Sequence, residues 1–217
     1  MGKIEIGILG GFRGKVGTVV GSFWKGKPVM RAYVYRPQST GSNAQELIRT
    51  RFGACGKFAA LLTSVLNRGL KNYANSKKIT PDNAFVKLNW SKVTASIPGS
   101  ATIDYTGVQI AKGPLTGVTF GEPGFDDPLE VTVDWTPNTE AEDTDANDLV
   151  YIVLYSPDLN ATLQAAGIKR SVGTAALTVP NSWNGMRVYI WGYALGAAAK
   201  NKGKVSDSAY IGSGNIS

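Results

Sequence analysis

Val131-Thr132-Val133-Asp134-Trp135-Thr136-Pro137 and, after a polar interval, Leu149-Val150-Tyr151-Ile152-Val153-Leu154-Tyr155-Ser156 are the stretches whose reading decides the fold. The first alternates apolar and polar residues with a period of two. The second is a short β-branched and aromatic run, too brief for a typical helix. Working outward, the same period predicts strands over 101–106, 108–111, 115–120, 129–135, 149–156, 161–166, 175–179, 186–195 and 205–211. Gly121-Glu122-Pro123-Gly124, Ser156-Pro157-Asp158, Pro180-Asn181 and Asn184-Gly185 punctuate them with turn chemistry. Short strands at such regular spacing predict an antiparallel sandwich built from the last seven, over 115–217.

Upstream of these strands the pattern is different. Residues 3–36 are dense in glycine and in β-branched or aromatic residues, and they predict a β-hairpin with strands near 15–24 and 28–35 and a turn at Lys25-Gly26-Lys27. Pro37 ends the second strand. Asn43 and Glu46 have capping-box spacing, and Ile48, Phe52, Cys55, Phe58, Ala59, Leu62, Val65, Leu66, Leu70 and Tyr73 recur at helical intervals. They predict one helix of about 30 residues or two in series. Gly53, Gly56 and Gly69 each cost a helix interior about 1 kcal/mol relative to Ala, so they mark a close approach or a break. Thr80 before Pro81 predicts an N-cap and a short helix to about Leu88. The expected fold class is α+β, in three parts. Residues 1–100 form a basic α+β region, 101–114 supply connecting strands, and 115–217 form the sandwich.

Composition removes most enzyme chemistry. The chain of 217 residues has one cysteine, Cys55, and no histidine. It therefore lacks the commonest general base, the commonest transition-metal ligand and any multi-cysteine zinc site. No apolar run is long enough to span a membrane, and no secretory leader pattern is present, so a reducing cytoplasm or a particle assembled there is expected. Charge is strongly asymmetric. Residues 1–100 carry sixteen Lys and Arg against three acids, whereas 101–217 carry seven against thirteen. A basic half seeks an anionic partner, either nucleic acid or the acidic half of another copy.

The chemical motifs fail on inspection. Gly14-Lys15 has Leu9 at the first-glycine position of a phosphate loop and Val16 where its hydroxyl belongs. A Rossmann reading needs a helix after the glycines, where Val16 to Phe23 is β-like. Asp143, Asp145, Asn147 and Asp148 imitate the start of a calcium loop, but the required sixth-position glycine is Asp148 and the twelfth-position Glu is Leu154. That segment reads as a solvated acidic loop or one that meets basic surface, with an opportunistic cation site as the sharper alternative. Cys55 lies on the apolar face of the predicted helix and has no His to activate it, so it reads as core. No catalytic, cofactor-binding or metal-binding residue is expected. The candidate site is instead the basic hairpin: Arg13, Lys15, Lys25, Lys27, Arg31 and Arg36, interleaved with Phe23, Trp24, Tyr33 and Tyr35. Such a ribbon can grip phosphates or acidic protein surface.

Two resemblances add to this reading. The runs 131–137 and 151–155 with Leu177-Thr178-Val179 and Arg187-Val188-Tyr189-Ile190-Trp191-Gly192-Tyr193 are similar to strands B, C, E and F of a fibronectin type III or related immunoglobulin-like domain. The resemblance implies that Trp135 and Tyr189 or Tyr193 are core residues. The opening Gly10-Gly11-Phe12-Arg13-Gly14-Lys15-Val16-Gly17-Thr18-Val19-Val20-Gly21 with Trp24-Lys25-Gly26, the later Ala44-Gln45, and Val205-Ser206-Asp207-Ser208-Ala209-Tyr210 resemble an uncharacterised family from gut-type Bacteroidota and their bacteriophages. That resemblance implies a source and a two-part layout but no activity. The expectation is a non-enzymatic structural or assembly protein, a component of a phage particle or similar assembly. It would join other protein subunits as a homo- or hetero-oligomer through its basic face. The alternatives are a nucleic-acid-binding protein and a carbohydrate- or surface-binding module. No cofactor and no membrane partner is expected.

Overall fold

Alternation in the glycine-rich opening resolves into more than a hairpin. In the computed structural model, which describes residues 3–4, 11–24, 27–35, 41–125, 128–140 and 143–216, strands β1 (Lys3–Ile4), β2 (Phe12–Val16), β3 (Val19–Trp24) and β4 (Lys27–Ala32) form an antiparallel sheet in sequential order. Val16 pairs with Val19, so Gly17 and Thr18 make a two-residue connection, and Gly17 supplies the positive φ of 57° that such turns need. Gly21 is required for another reason, since a Cβ there would overlap the backbone oxygen of Phe12 on the neighbouring strand. The expected strand 15–24 is thus two strands joined by this turn. The expected turn at 25–26 lies outside the described residues.

Residues 1–42 form one unit and 43–217 a second. The boundary therefore falls at 42/43, and the expected basic region 1–100 is not a single body. The physical reason is the packing of the helices. Helix α1 (Asn43–Leu61), α2 (Thr63–Gly69) and α3 (Lys71–Lys77) follow one another, so the expected run of one or two helices breaks into three. The joints are Leu62 (φ −99°) and Leu70 (φ −112°), both fully buried, where the chain bends to keep the apolar stripe inward. At Gly69 a Cβ would come within 2.6 Å of the Ile110 oxygen, whereas Gly53 and Gly56 have open space. Helix α4 (Pro81–Asn89) begins as predicted, with the Asn83 amide donating to the Thr80 hydroxyl at 3.3 Å.

A hairpin of β5 (Val93–Ile97) and β6 (Ser100–Ile103) follows, turning at Gly99 (φ 85°), whose amide donates to Thr50 Oγ1 of α1 at 3.0 Å. The predicted strand 108–111 is extended but unpaired. Its backbone groups are satisfied by Asn89, which both donates to and accepts from Gln109, and by Ser208, whose hydroxyl accepts from the Ile110 amide and whose amide donates to the Ala111 oxygen. Strand β7 is only Thr119–Phe120, because Leu115 makes a lone bridge to Ser206.

The remaining strands are β8 (Glu130–Thr136), β9 (Leu149–Ser156), β10 (Ala161–Gln164), β11 (Ile168–Lys169), β12 (Thr174–Thr178), β13 (Arg187–Leu195) and β14 (Ala209–Asn215). They form two antiparallel sheets: β12-β8-β7, and β10-β9-β13-β14 with β11 also on β9. Val131, Val133, Trp135, Ala175 and Leu177 from the first sheet meet Val150, Ile152, Leu154, Val188 and Ile190 from the second in one core. The other face of the larger sheet carries Tyr151, Val153, Tyr155, Trp191 and Tyr193, and these join Cys55, Phe58, Leu62, Leu66, Leu70 and Phe85 in a second core. Phe58 is central there, with ring centroids 4.8 to 6.4 Å from Phe85, Tyr105, Tyr155 and Trp191. Strand β9 is thus buried on both faces, which explains its unbroken apolar run. Trp135 is a core residue as expected. Tyr193 is buried against the helices rather than between the sheets, and Tyr189 is only half-buried beside Tyr105.

Candidate functional site

The cross-strand register of the N-terminal sheet sorts its side chains. Lys15 stands opposite Val20, which stands opposite Arg31, and Trp24 stands opposite Lys27. Side chains two apart on a strand share a face. Arg13, Lys15, Lys27 and Arg31 therefore lie on one face, with Val20, Ser22, Trp24 and Val29 between them. Phe12, Val16, Val19, Phe23, Pro28, Met30 and Ala32 lie on the other. All four cations are exposed, and none pairs with a carboxylate among the described residues. Lys15 Nζ sits 3.6 Å from the centroid of the Tyr33 ring, and the Tyr33 amide donates to the Thr18 oxygen at 2.7 Å, fixing that aromatic beside the turn. Lys15, Val20, Arg31 and Tyr33 line an open groove together with Ala32 and Val34.

Of the six residues expected to meet an anionic partner, the structure brings together Arg13, Lys15, Lys27 and Arg31, while Lys25 and Arg36 lie outside the described residues. The aromatics divide. Trp24 shares the cationic face, but Phe23 belongs to the apolar one, so they do not form a single platform. The signal that separates them was present in the period-two alternation, but it needs the strand boundaries and register before it can be used. Like charges gathered on an uncompensated face repel one another, and an anionic surface relieves that repulsion.

The acidic loop is solvated in part and meets a basic side chain in part. Asp148 and Arg170 are both fully buried, with Arg170 Nε 3.7 Å from Asp148 Oδ2. The Arg170 guanidinium donates to the oxygens of Thr116 at 2.6 Å and Pro137 at 3.0 Å, and its own carbonyl accepts from Trp135 Nε1 at 2.9 Å. Asp148 accepts from the amides of Asp145 and Ala197. Burial pulls the Arg170 guanidinium below its ordinary range, against the opposing pull of Asp148 and Asp143. Hydrogen bonding from Thr116 holds the Asp143 carboxyl low. Asp148 thus fastens the loop to Arg170 while Asn147 stays exposed, and Arg170 lies too far along the chain for that pairing to be seen locally. No group of three potential metal ligands occurs among the described residues. Cys55 is fully buried, and burial pushes its thiol up, away from nucleophilic character.

Comparison with known proteins places the chain by sequence but not by activity. No curated protein matches it. Among solved structures it is similar to the solution structure of the fn3 domain of human collagen alpha-1(XX) chain, with 12% identity over 49% of this chain and 86% of that one and a TM-score of 0.33. The model of a family of unknown function, DUF6266, matches residues 11–212. With nearly its whole length covered, the chain belongs to this family of unknown function.

Proposed function

We propose that the protein is a non-enzymatic structural or assembly component, of a phage particle or a similar multi-protein assembly, that engages an anionic surface through the cationic face of its N-terminal sheet. The observation that supports this most is the placement of Arg13, Lys15, Lys27 and Arg31 on one exposed face without carboxylate partners among the described residues. The strand order of the three-stranded and five-stranded sheets supports a fibronectin-III-like sandwich, an architecture often used as an interaction module. The sequence resemblance to proteins of Bacteroidota and their phages supports the setting. In this reading the protein works in the cytoplasm or in the assembled particle. No helix among the described residues is long and apolar enough to cross a membrane.

Light scattering of the full chain at about 50 and about 500 mM salt, with and without a short DNA duplex, tests this reading, because exposed ionic contacts weaken steeply over that range. A discrete oligomer is expected without DNA at low salt, dissolving at high salt, and lost when the four cations are replaced by Gln. A second reading, nucleic-acid binding, is favoured by Trp24 and the Lys15–Tyr33 pair on the same sheet, since aromatics beside cations can stack on bases. A monomer that shifts only with DNA would overturn the first reading and establish the second.

A further inference from the structure

The unit 43–217 has an open sheet face of opposite charge. In the three-stranded sheet, Val131, Val133, Trp135, Ala175 and Leu177 point into the core, so alternation puts Glu130, Thr132, Asp134 and Thr136 outward. Register aligns Thr174 with Asp134, Ala176 with Thr132, Thr178 with Glu130, and Thr119 with Thr136. The outer side of the five-stranded sheet is covered by helices, but this face is not, and Asp134, Thr136, Thr174, Ala176 and Thr178 are all exposed. Strand β12 is uncharged, and Glu122 and Glu140 are exposed in the loops that flank β7 and β8. Apart from the two acids, the face is made of threonine and alanine. Small side chains let long Lys and Arg side chains approach closely, and the hydroxyls can accept from them.

We infer that the partner of the cationic face is a second copy of this chain, docked through the outer face of its β12-β8-β7 sheet. The inference rests on the assembly reading above and names the surface that reading leaves open. Charge complementarity is what selects the occupant. One chain presents a sheet face with four exposed cations that have no carboxylate partner among the described residues, and another face with two outward acids, so bringing copies together relieves both repulsions. The two patches differ, so the contact is heterologous. Copies then join head to tail into a ring or an open filament rather than a two-fold dimer.

Sedimentation velocity of the full chain at about 50 mM salt, repeated at about 500 mM, tests this with two paired reversals, K15E with R31E and E130K with D134K. Each double variant alone should sediment as a monomer at low salt. Mixed in equal amounts, they should assemble again, because the unaltered faces still pair and each reversed face now meets one of opposite charge. If E130K/D134K still assembles like the wild type while K15E/R31E does not, the second-copy inference falls and the cationic-face reading stands. If K15E/R31E assembles like the wild type, or the wild type is monomeric at both salts without DNA, both fall. All four positions point away from the cores, and circular dichroism of each variant checks its fold. The milder pair E130Q/D134N, expected to weaken assembly at least tenfold, replaces any reversal that fails to fold.

Discussion

The N-terminal sheet and the helix-backed sandwich are built on opposite terms. Among the described residues of the first unit only Gly21 is buried, and Met30, Trp24 and Tyr35 are 73%, 67% and 77% exposed. The second unit holds two continuous cores that share one sheet, with Ile152, Leu154, Ile190 and Trp191 at 0% exposure. A sheet of this size with so little buried area gains little stability from its own packing. The buried area that holds the molecule together thus resides in residues 43–217, while Arg13, Lys15, Lys27 and Arg31 of the first unit stay exposed.

The sharpest way to break that comparison is to remove a ring from the helix–sheet core. Phe58→Ala should cost about 3–5 kcal/mol in urea unfolding monitored by tryptophan fluorescence. If it left stability unchanged, the helices would not be part of the second unit's cooperative core. The buried ion pair is next. Asp148→Ala should destabilise by about 3 kcal/mol or more by stranding Arg170, and adding Arg170→Leu should recover part of that loss, a coupling read by a double-mutant cycle.

The helix glycines sharpen the contrast between tight and open packing. Gly69→Ala should destabilise by about 1–3 kcal/mol because the Ile110 backbone blocks the new methyl, whereas Gly56→Ala should stabilise by about 0.5–1 kcal/mol. Thermal melts of the two variants should move in opposite directions. Alkali gives a smaller, pH-gated effect. Burial raises the hydroxyl of Tyr193 to about 12, above its unfolded value near 10, so its contribution is intact below pH 10 and is lost as pH rises through 12. The melting temperature should fall across that window, and less steeply in Tyr193→Phe. The smallest effect belongs to the first unit. Lys27→Ala or Arg13→Ala should change unfolding free energy by less than about 0.5 kcal/mol while weakening any salt-sensitive association.

Much of the fold was legible where the cause was local. Strand β9 coincides with its predicted span, β8, β10, β12 and β13 match theirs to within two residues at either end, and the Thr80-Pro81 helix start follows from capping chemistry alone. Strand β5 went unread because Thr94-Ala95-Ser96 is small and polar, with no apolar alternation to mark it. Residues 108–111 were read as a strand because apolar and polar residues alternate there, but their backbone partners are side chains and loops distant in sequence. Of the candidate site, the residue types and their crowding were plain, but the separation of Trp24 from Phe23 was not.

By itself the sequence determined the alternation, the turns, the helix start and the charge asymmetry, because each depends on residues within a few positions of one another. Only the tertiary structure decided that the boundary lies at 42/43, that Tyr151, Tyr155, Trp191 and Tyr193 face helices rather than the opposing sheet, and that Asp148 is neutralised by Arg170. It also decided which cations share a face and which acids lie on the open side of β8. Register and layer packing set these relations, and both join residues far apart along the chain.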